Sequence, residues 1–215
     1  MIEVQLADVA AVTGGRLHRA TGSELVTSVE FDSRAVTPGA LFLALPGERV
    51  DGHDFAAAAV EAGAVAVLAA REVDAPAVVV PPAPAALAAG TYLAETDRDG
   101  VGAAVLAALA RLASWVIEQL PQLTVIGVTG SSGKTSTKDL LAAVLSPLGP
   151  TVAPPGSFNN ELGLPWTVLR ADAATRHLVL EFSARGRGHI AGLAATAPPR
   201  IGVVLNVGRA HLGEF

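Results

Sequence analysis

The sequence predicts an α/β chain: a small N-terminal α/β unit followed by a parallel-sheet unit built on a phosphate loop. Three observations predict it. Short apolar runs bounded by turn residues alternate with helical patterns along the chain. The stretch Thr124-Val-Ile-Gly-Val-Thr-Gly-Ser-Ser-Gly-Lys-Thr-Ser136 reads as a buried strand, a glycine turn and a helix start. A proline cluster, Pro81-Pro-Ala-Pro84, marks the boundary between the two units.

Composition narrows the class. The 215 residues allow one or two domains, and 51% hydrophobic against 16% charged residues supply a sizeable core. A net charge of −5 without a basic stripe argues against a nucleic-acid platform. Without cysteine there is no disulfide framework and no thiolate zinc site, which suits a cytoplasmic protein. Met1-Ile-Glu-Val-Gln5 shows no signal-peptide pattern. Residues 101–117 are apolar but interrupted by Arg111. A span needs roughly 20 uninterrupted apolar residues, so a helix and no membrane span is expected there.

Taken in order, Gln5 to Val12 is a short helix ended by Gly14-Gly15. Ser28 to Phe31 and Leu41 to Leu45 are strands, joined by a loop with turn chemistry at Pro38-Gly39. A second polar loop, Pro46-Gly-Glu-Arg-Val-Asp-Gly-His53, precedes a helix over Phe55 to Ala62 that Asp54 can cap and Gly63 ends. Ala64 to Leu68 and Ala77 to Val80 are further strands. Residues 85–99 form a linker, and 101–119 a helix with Leu106, Leu109, Leu112, Trp115 and Val116 near one face. Beyond the phosphate loop, Leu140, Leu141, Val144 and Leu145 continue a helix, and Ser146-Pro147 stops it. Thr151 to Ala153, His177 to Glu181 and Ile201 to Leu205 complete a count of about four strands in the second unit. Nucleotide-binding parallel sheets usually have five or more, so the chain is expected to be a fragment of a longer protein.

The candidate chemistry lies at strand ends, where open α/β sheets bind ligands. Gly130 and Gly133 let backbone N–H groups approach phosphate oxygens, Lys134 can reach the β- and γ-phosphates, and the Thr135 hydroxyl can hold Mg²⁺. The usual spacing asks for glycine where Val128 stands, so this is a shorter sub-type of the loop with an extra Gly127 in its strand. Glu181 ends an apolar strand, well placed to hold Mg²⁺. His211 follows a strand end and can ligate metal or be structural. Asn159-Asn160 fit a turn or a ligand site, and Arg185 and Arg187 fit an anion or solvent.

Four segments together resemble the Mur ligases: Gly127-Val-Thr-Gly-Ser-Ser-Gly-Lys-Thr135, Phe158-Asn-Asn-Glu-Leu-Gly-Leu-Pro165, Leu180-Glu-Phe-Ser-Ala-Arg-Gly186 and Leu205-Asn-Val-Gly-Arg-Ala-His-Leu212. Phe31-Asp-Ser-Arg34, Pro38 to Gly47 and Asp51-Gly-His-Asp-Phe55 are similar to the family's UDP-substrate domain. The resemblance spans essentially the whole chain. It implies a UDP-sugar-peptide domain over 1–84, a linker and helix over 85–120, and an incomplete P-loop ATPase domain over 121–215, without the family's C-terminal domain. The Asn159 to Pro165 loop favours the branch that adds D-Ala-D-Ala to UDP-MurNAc-tripeptide over a sister branch that adds one amino acid. A folylpolyglutamate-synthase-like protein lacks the Asp-Ser-Arg domain, and residues 31–55 argue against it. A binding module without catalysis is the reading from another class.

The resemblance further implies that ATP phosphorylates the tripeptide carboxylate and that the dipeptide amine attacks the acyl phosphate. Gly130, Ser131, Ser132, Gly133, Lys134, Thr135, Ser136, Asn159 and Asn160 then bind ATP, with Lys134, Glu181 and His211 catalytic. Thr135 and Glu181 hold a first Mg²⁺ and His211 a second, and Asp32, Ser33 and Arg34 meet UDP-MurNAc-peptide with Gly47 and His53 nearby. A monomer is expected. Four departures stand out: Phe182 where methionine is common, Arg209 where a small residue or threonine is common, a long stretch from Pro81 to Gln119, and no counterpart of the family's carbamylated lysine. The isolated chain is therefore expected not to complete the ligation, and D-Ala-D-Ala-dependent ADP release by it would overturn that expectation.

Overall fold

The computed structural model describes residues 1–47, 50–84, 91, 93, 97 and 99–208. The chain divides into two compact units, Met1–Leu112 and Ala113–Phe215.

In the first unit, β1 (Val4–Gln5) runs into α1 (Leu6–Thr13), followed by β2 (Arg16–His18) and β3 (Leu25–Val26). Helix α1 forms because Leu6, Val9, Ala10 and Thr13 recur on one buried face, and Gly14 closes it in the left-handed conformation. Strands β4 (Ser28–Glu30), β5 (Ala40–Leu43), β6 (Ala66–Ala69) and β7 (Ala77–Val79) run parallel, and β2 pairs antiparallel with β7. Among the described residues the sheet order is β2-β7-β6-β5-β4, with a separate β1-β3 ribbon. Strands β5 and β6 are buried on both faces. That is why they read as continuous apolar runs rather than alternating ones.

The helix expected over Phe55 to Ala62 is present, with Phe55 and Ala62 as its end caps, but the expected Asp54 cap is corrected. A 3-10 turn, Gly52–Phe55, precedes α2 (Ala56–Glu61), and the cap is Asp51, whose Oδ1 accepts from the His53 backbone N–H at 3.0 Å. Asp54 is turned instead toward the Arg71 guanidinium, at 3.3 Å.

Helix α3 (Val101–Glu118) is held at its start by Asp97, whose carboxylate accepts from Gly102 N at 3.0 Å and Ala103 N at 2.7 Å. Among the described residues it is the one helix long and apolar enough to cross a membrane by length and composition. Its Leu109, Leu112, Ala113 and Val116 are fully buried within the protein.

The second unit contains β8 (Thr124–Thr129), α4 (Lys134–Leu145), β9 (Thr151–Val152), α5 (Gly163–Val168), β10 (His177–Glu181), α6 (His189–Thr196) and β11 (Ile201–Val204). Its strands are all parallel, in the order β11-β8-β10-β9 among the described residues. Ile126, Val128 and Val179 centre its core, and Leu141 and Leu145 of α4 pack on them. The expected apolar row on α4 is halved: Leu140 and Val144, one residue round the helix, are exposed. The extra Gly127 has a packing reason. A Cβ there would lie 2.2 Å from the Phe182 ring, so the glycine lets that buried ring close over β8.

Candidate functional site

The carboxyl end of β8 opens into the phosphate loop. Gly130 (φ 146°) and Gly133 (φ 82°) take backbone conformations that side chains resist, which wraps the loop tightly ahead of α4. Lys134 is the first residue of α4, and its Nζ donates to the Gly130 carbonyl at 2.7 Å, folding the ammonium over the loop. Ser136 is exposed on the same first turn.

Strand β10 lies beside β8 in register, Glu181 opposite Val128, so the Glu181 carboxylate arrives next to the loop. It is 1% exposed. A carboxylate buried to that degree needs partners on both oxygens. Thr135 Oγ1 donates to Oε2 at 3.0 Å, while Asn159 Nδ2 (2.8 Å) and Ser157 Oγ (3.2 Å) donate to Oε1. The two adjacent asparagines therefore divide their work. Asn159 meets Glu181, whereas Asn160 Oδ1 accepts from Gly163 N at 2.8 Å and starts α5. Glu161 next to them pairs with His189, which opens α6.

Asn206, at the end of β11, is a site residue whose role the sequence did not disclose. Its Oδ1 accepts from the Ser131 and Ser132 amides at 3.1 and 3.2 Å, and its Nδ2 donates to the Ser132 carbonyl at 3.1 Å. The available signal was topological: β11 pairs with β8, so its carboxyl end falls beside the loop. The residue expected as a further metal ligand, His211, lies outside the described residues, as does Arg209.

A cavity of about 680 Å³ opens over these groups, lined by Gly130, Lys134, Asn159, Arg185, Arg187 and Asn206 among others. Its described lining carries three cations, Lys134, Arg185 and Arg187, and no carboxylate. In a chain of net charge −5, that local excess suits a polyanion.

The residues expected at a UDP-sugar site are less concentrated. Asp32-Ser33-Arg34 and Gly47 follow the carboxyl ends of the neighbouring parallel strands β4 and β5. Arg34 curls onto Asp32, with Nε on Oδ1 at 2.9 Å and a terminal nitrogen on Oδ2 at 2.7 Å. That ion pair, together with the Arg34 backbone N–H, lowers the Asp32 carboxyl to about 2. The Arg34 chain itself is almost fully exposed. Gly47 is exposed and donates to Val50 O at 2.9 Å.

The His53 ring is turned inward. Its side chain has no exposure; Nδ1 lies 2.7 Å from Asp51 Oδ1, and Nε2 accepts from Ala70 N at 3.3 Å. Both ring nitrogens are thus spent on ordering the loop between β5 and α2. Burial works to raise the Asp51 carboxyl, but the His53 backbone N–H, the His53 ring and Arg71 outweigh it and bring it to about 2. The first unit also has a cavity of about 470 Å³ between Gly14-Gly15-Arg16 and the ends of β6 and β7, and none of the five expected residues lines it.

Residues 25–114 match the Mur ligase family catalytic domain and residues 128–215 the Mur ligase middle domain. The chain belongs to the Mur ligase family. Over its whole length this Mur ligase chain is 62% identical to the UDP-N-acetylmuramoyl-tripeptide--D-alanyl-D-alanine ligases of Mycobacterium tuberculosis (strain ATCC 25618 / H37Rv) and Mycobacterium leprae (strain TN), of which it covers 43%. The chain thus spans less than half the length of these curated relatives. Crystal structure I of MurF from Acinetobacter baumannii superposes with a TM-score of 0.81 at 33% identity, over 99% of this chain and 43% of that one. MurF ligase from Thermotoga maritima, solved in complex with ADP, superposes with a TM-score of 0.68 at 36% identity, over 87% of this chain and 39% of that one.

Proposed function

We propose that this Mur ligase chain supplies the UDP-sugar-peptide and ATP-binding parts of a cytoplasmic enzyme that joins D-Ala-D-Ala to UDP-MurNAc-tripeptide. The observation that carries this reading is the 62% identity, across the whole chain, to relatives named for that reaction. The cationic cavity beside the phosphate loop supports it chemically. Carboxylate and triphosphate repel each other, and a site that brings them together must screen both.

The proposed roles follow from position. The Ser131 and Ser132 amides and the N-terminus of α4 take the terminal phosphates, with the Asn206 carboxamide giving way. Lys134 leaves the Gly130 carbonyl to neutralise the transferring phosphoryl group. Transfer to the tripeptide carboxylate breaks the bond between the γ-phosphorus and the bridging oxygen and releases ADP. Attack by the dipeptide amine then forms the C–N bond, and phosphate and a proton depart. Arg185 and Arg187 line the same cavity and are the groups we assign to the anionic acyl phosphate. Asp32, Ser33, Arg34 and Gly47, at one edge of the first sheet, are assigned to the UDP-sugar.

Thr135 Oγ1 and Glu181 Oε2 are hard oxygen donors 3.0 Å apart next to the loop, a donor pair that fits Mg²⁺. When bound, that ion supplies charge neutralisation at the β- and γ-phosphates.

Titration of the chain with Mg·ATP and, separately, with UDP-MurNAc-tripeptide tests the reading. Saturable binding of both is expected. Binding of neither ligand by a folded chain overturns it.

A further inference from the structure

Lysine 138 lies one turn beyond Lys134 on α4 and is 1% exposed. A buried ammonium has three N–H donors and is costly to leave unpaired. Its Nζ donates to the Pro154 carbonyl at 2.7 Å and the Gly156 carbonyl at 3.1 Å, and the Asp139 carboxylate lies 2.6 Å away as an ion-pair partner. Two of these acceptors are backbone atoms of the loop that follows β9. The next residue along that loop is Ser157, and Asn159 is two further on; both donate to Glu181 Oε1. The opposite oxygen of Glu181 is met by Thr135, which sits three residues before Lys138 on α4. One helix thus touches the Glu181 carboxylate from two sides, directly through Thr135 and indirectly through the loop that Lys138 holds.

We infer that Lys138 is a positioning residue for Glu181: by fixing the Pro154–Gly156 backbone it sets where Ser157 and Asn159 grip the carboxylate. The inference rests on the proposed role of Glu181 in holding Mg²⁺. Lys138 itself does not line the cavity, so its effect on nucleotide binding is transmitted rather than direct.

The test is binding of a fluorescent ADP to the whole chain, titrated with and without Mg²⁺, for wild type, Lys138→Met, Asn159→Ala and the double variant. Lys138→Met is expected to raise the Mg²⁺ concentration for half-maximal binding by about 10-fold, the size of one lost charge-assisted contact, with metal-free ADP affinity unchanged. The double variant is expected to be no worse than the worse single one, because both act on one grip. Circular dichroism melting checks folding, and Lys138→Gln, which keeps two N–H donors, replaces Lys138→Met if the latter fails to fold. A Lys138 variant with wild-type Mg²⁺ dependence, an equal loss with and without Mg²⁺, or additive singles overturns the inference. A folded wild-type chain that binds no Mg·ADP overturns the nucleotide reading, and this inference with it.

Discussion

The two units treat their chemically suggestive residues in opposite ways. In the second, Lys134, Thr135, Asn159 and Glu181 come from three separate stretches of sequence and meet within hydrogen-bond distance or across one loop. In the first, Asp32 and Arg34 pair with each other at the surface, and His53 disappears into the interior beneath a half-buried Asp51. The difference is one of scaffolding. A phosphate loop is made largely of backbone, and the parallel register of β8 and β10 fixes where Glu181 lands. The first unit presents side chains from loops, and there the same residue types serve equally well as caps and surface ion pairs.

Substitutions can sharpen or break this contrast. The largest effect is expected from Lys134→Ala, which removes the ammonium that folds over the loop. Loss of a charged hydrogen-bonding group of about 3 kcal/mol corresponds to roughly 100-fold weaker Mg·ATP binding, measured by calorimetric titration. His53→Ala comes next and should act on stability alone. A buried ring with both nitrogens bonded is expected to cost about 2 kcal/mol in chemical denaturation, with ATP affinity untouched. If UDP-MurNAc-tripeptide binding fell while stability held, the structural reading of His53 would be wrong.

A smaller, pH-dependent effect separates Asp51 from its surroundings. Its folded value of about 2 lies below the ordinary 3.8. The contribution to stability is therefore complete above about pH 4 and is lost as the pH falls through about 2. The melting difference between wild type and Asp51→Asn should stay constant from neutral pH down to that window and then close. The smallest effect is expected at Arg34. Its exposed chain makes an ion pair of little worth to folding, so Arg34→Ala should leave the melting temperature unchanged. Weakened UDP-MurNAc-tripeptide binding in that variant would give the first unit a ligand contact and narrow the contrast; unchanged binding would widen it.

The same contrast explains what was legible in the sequence. The longer elements, α3, β8, α4 and β10, announce themselves by apolar periodicity or runs, and their ends fall within a residue or so of expectation. The two- and three-residue strands β1, β2 and β3 carry too few residues for an alternation to show. Helix α5 hides because its start is dictated by Asn160 from outside it, and because Gly163 and Pro165 look like loop punctuation. Pro165 is tolerated there because the first turn of a helix has no internal partner for its missing N–H. Glu181 was legible as an acid ending an apolar strand. Asn206 was legible only as a strand end, since its bond to the loop depends on β11 lying beside β8. Asp51 rather than Asp54 is the cap because the 3-10 turn begins at Gly52, directly after Asp51, and Asp54 lies inside that turn.

The closeness of Gly127 to Phe182 bears on how such a chain can change over generations. The two positions are 55 residues apart in sequence, yet the Phe182 ring fills the space a Cβ at 127 would need, 2.2 Å from it, so they share a single volume. Position 127 cannot drift alone: Gly127→Ala on this background should be selected against, and should become acceptable only after the ring at 182 has given way to a narrower side chain. The expected order of the two substitutions is therefore 182 first and 127 second.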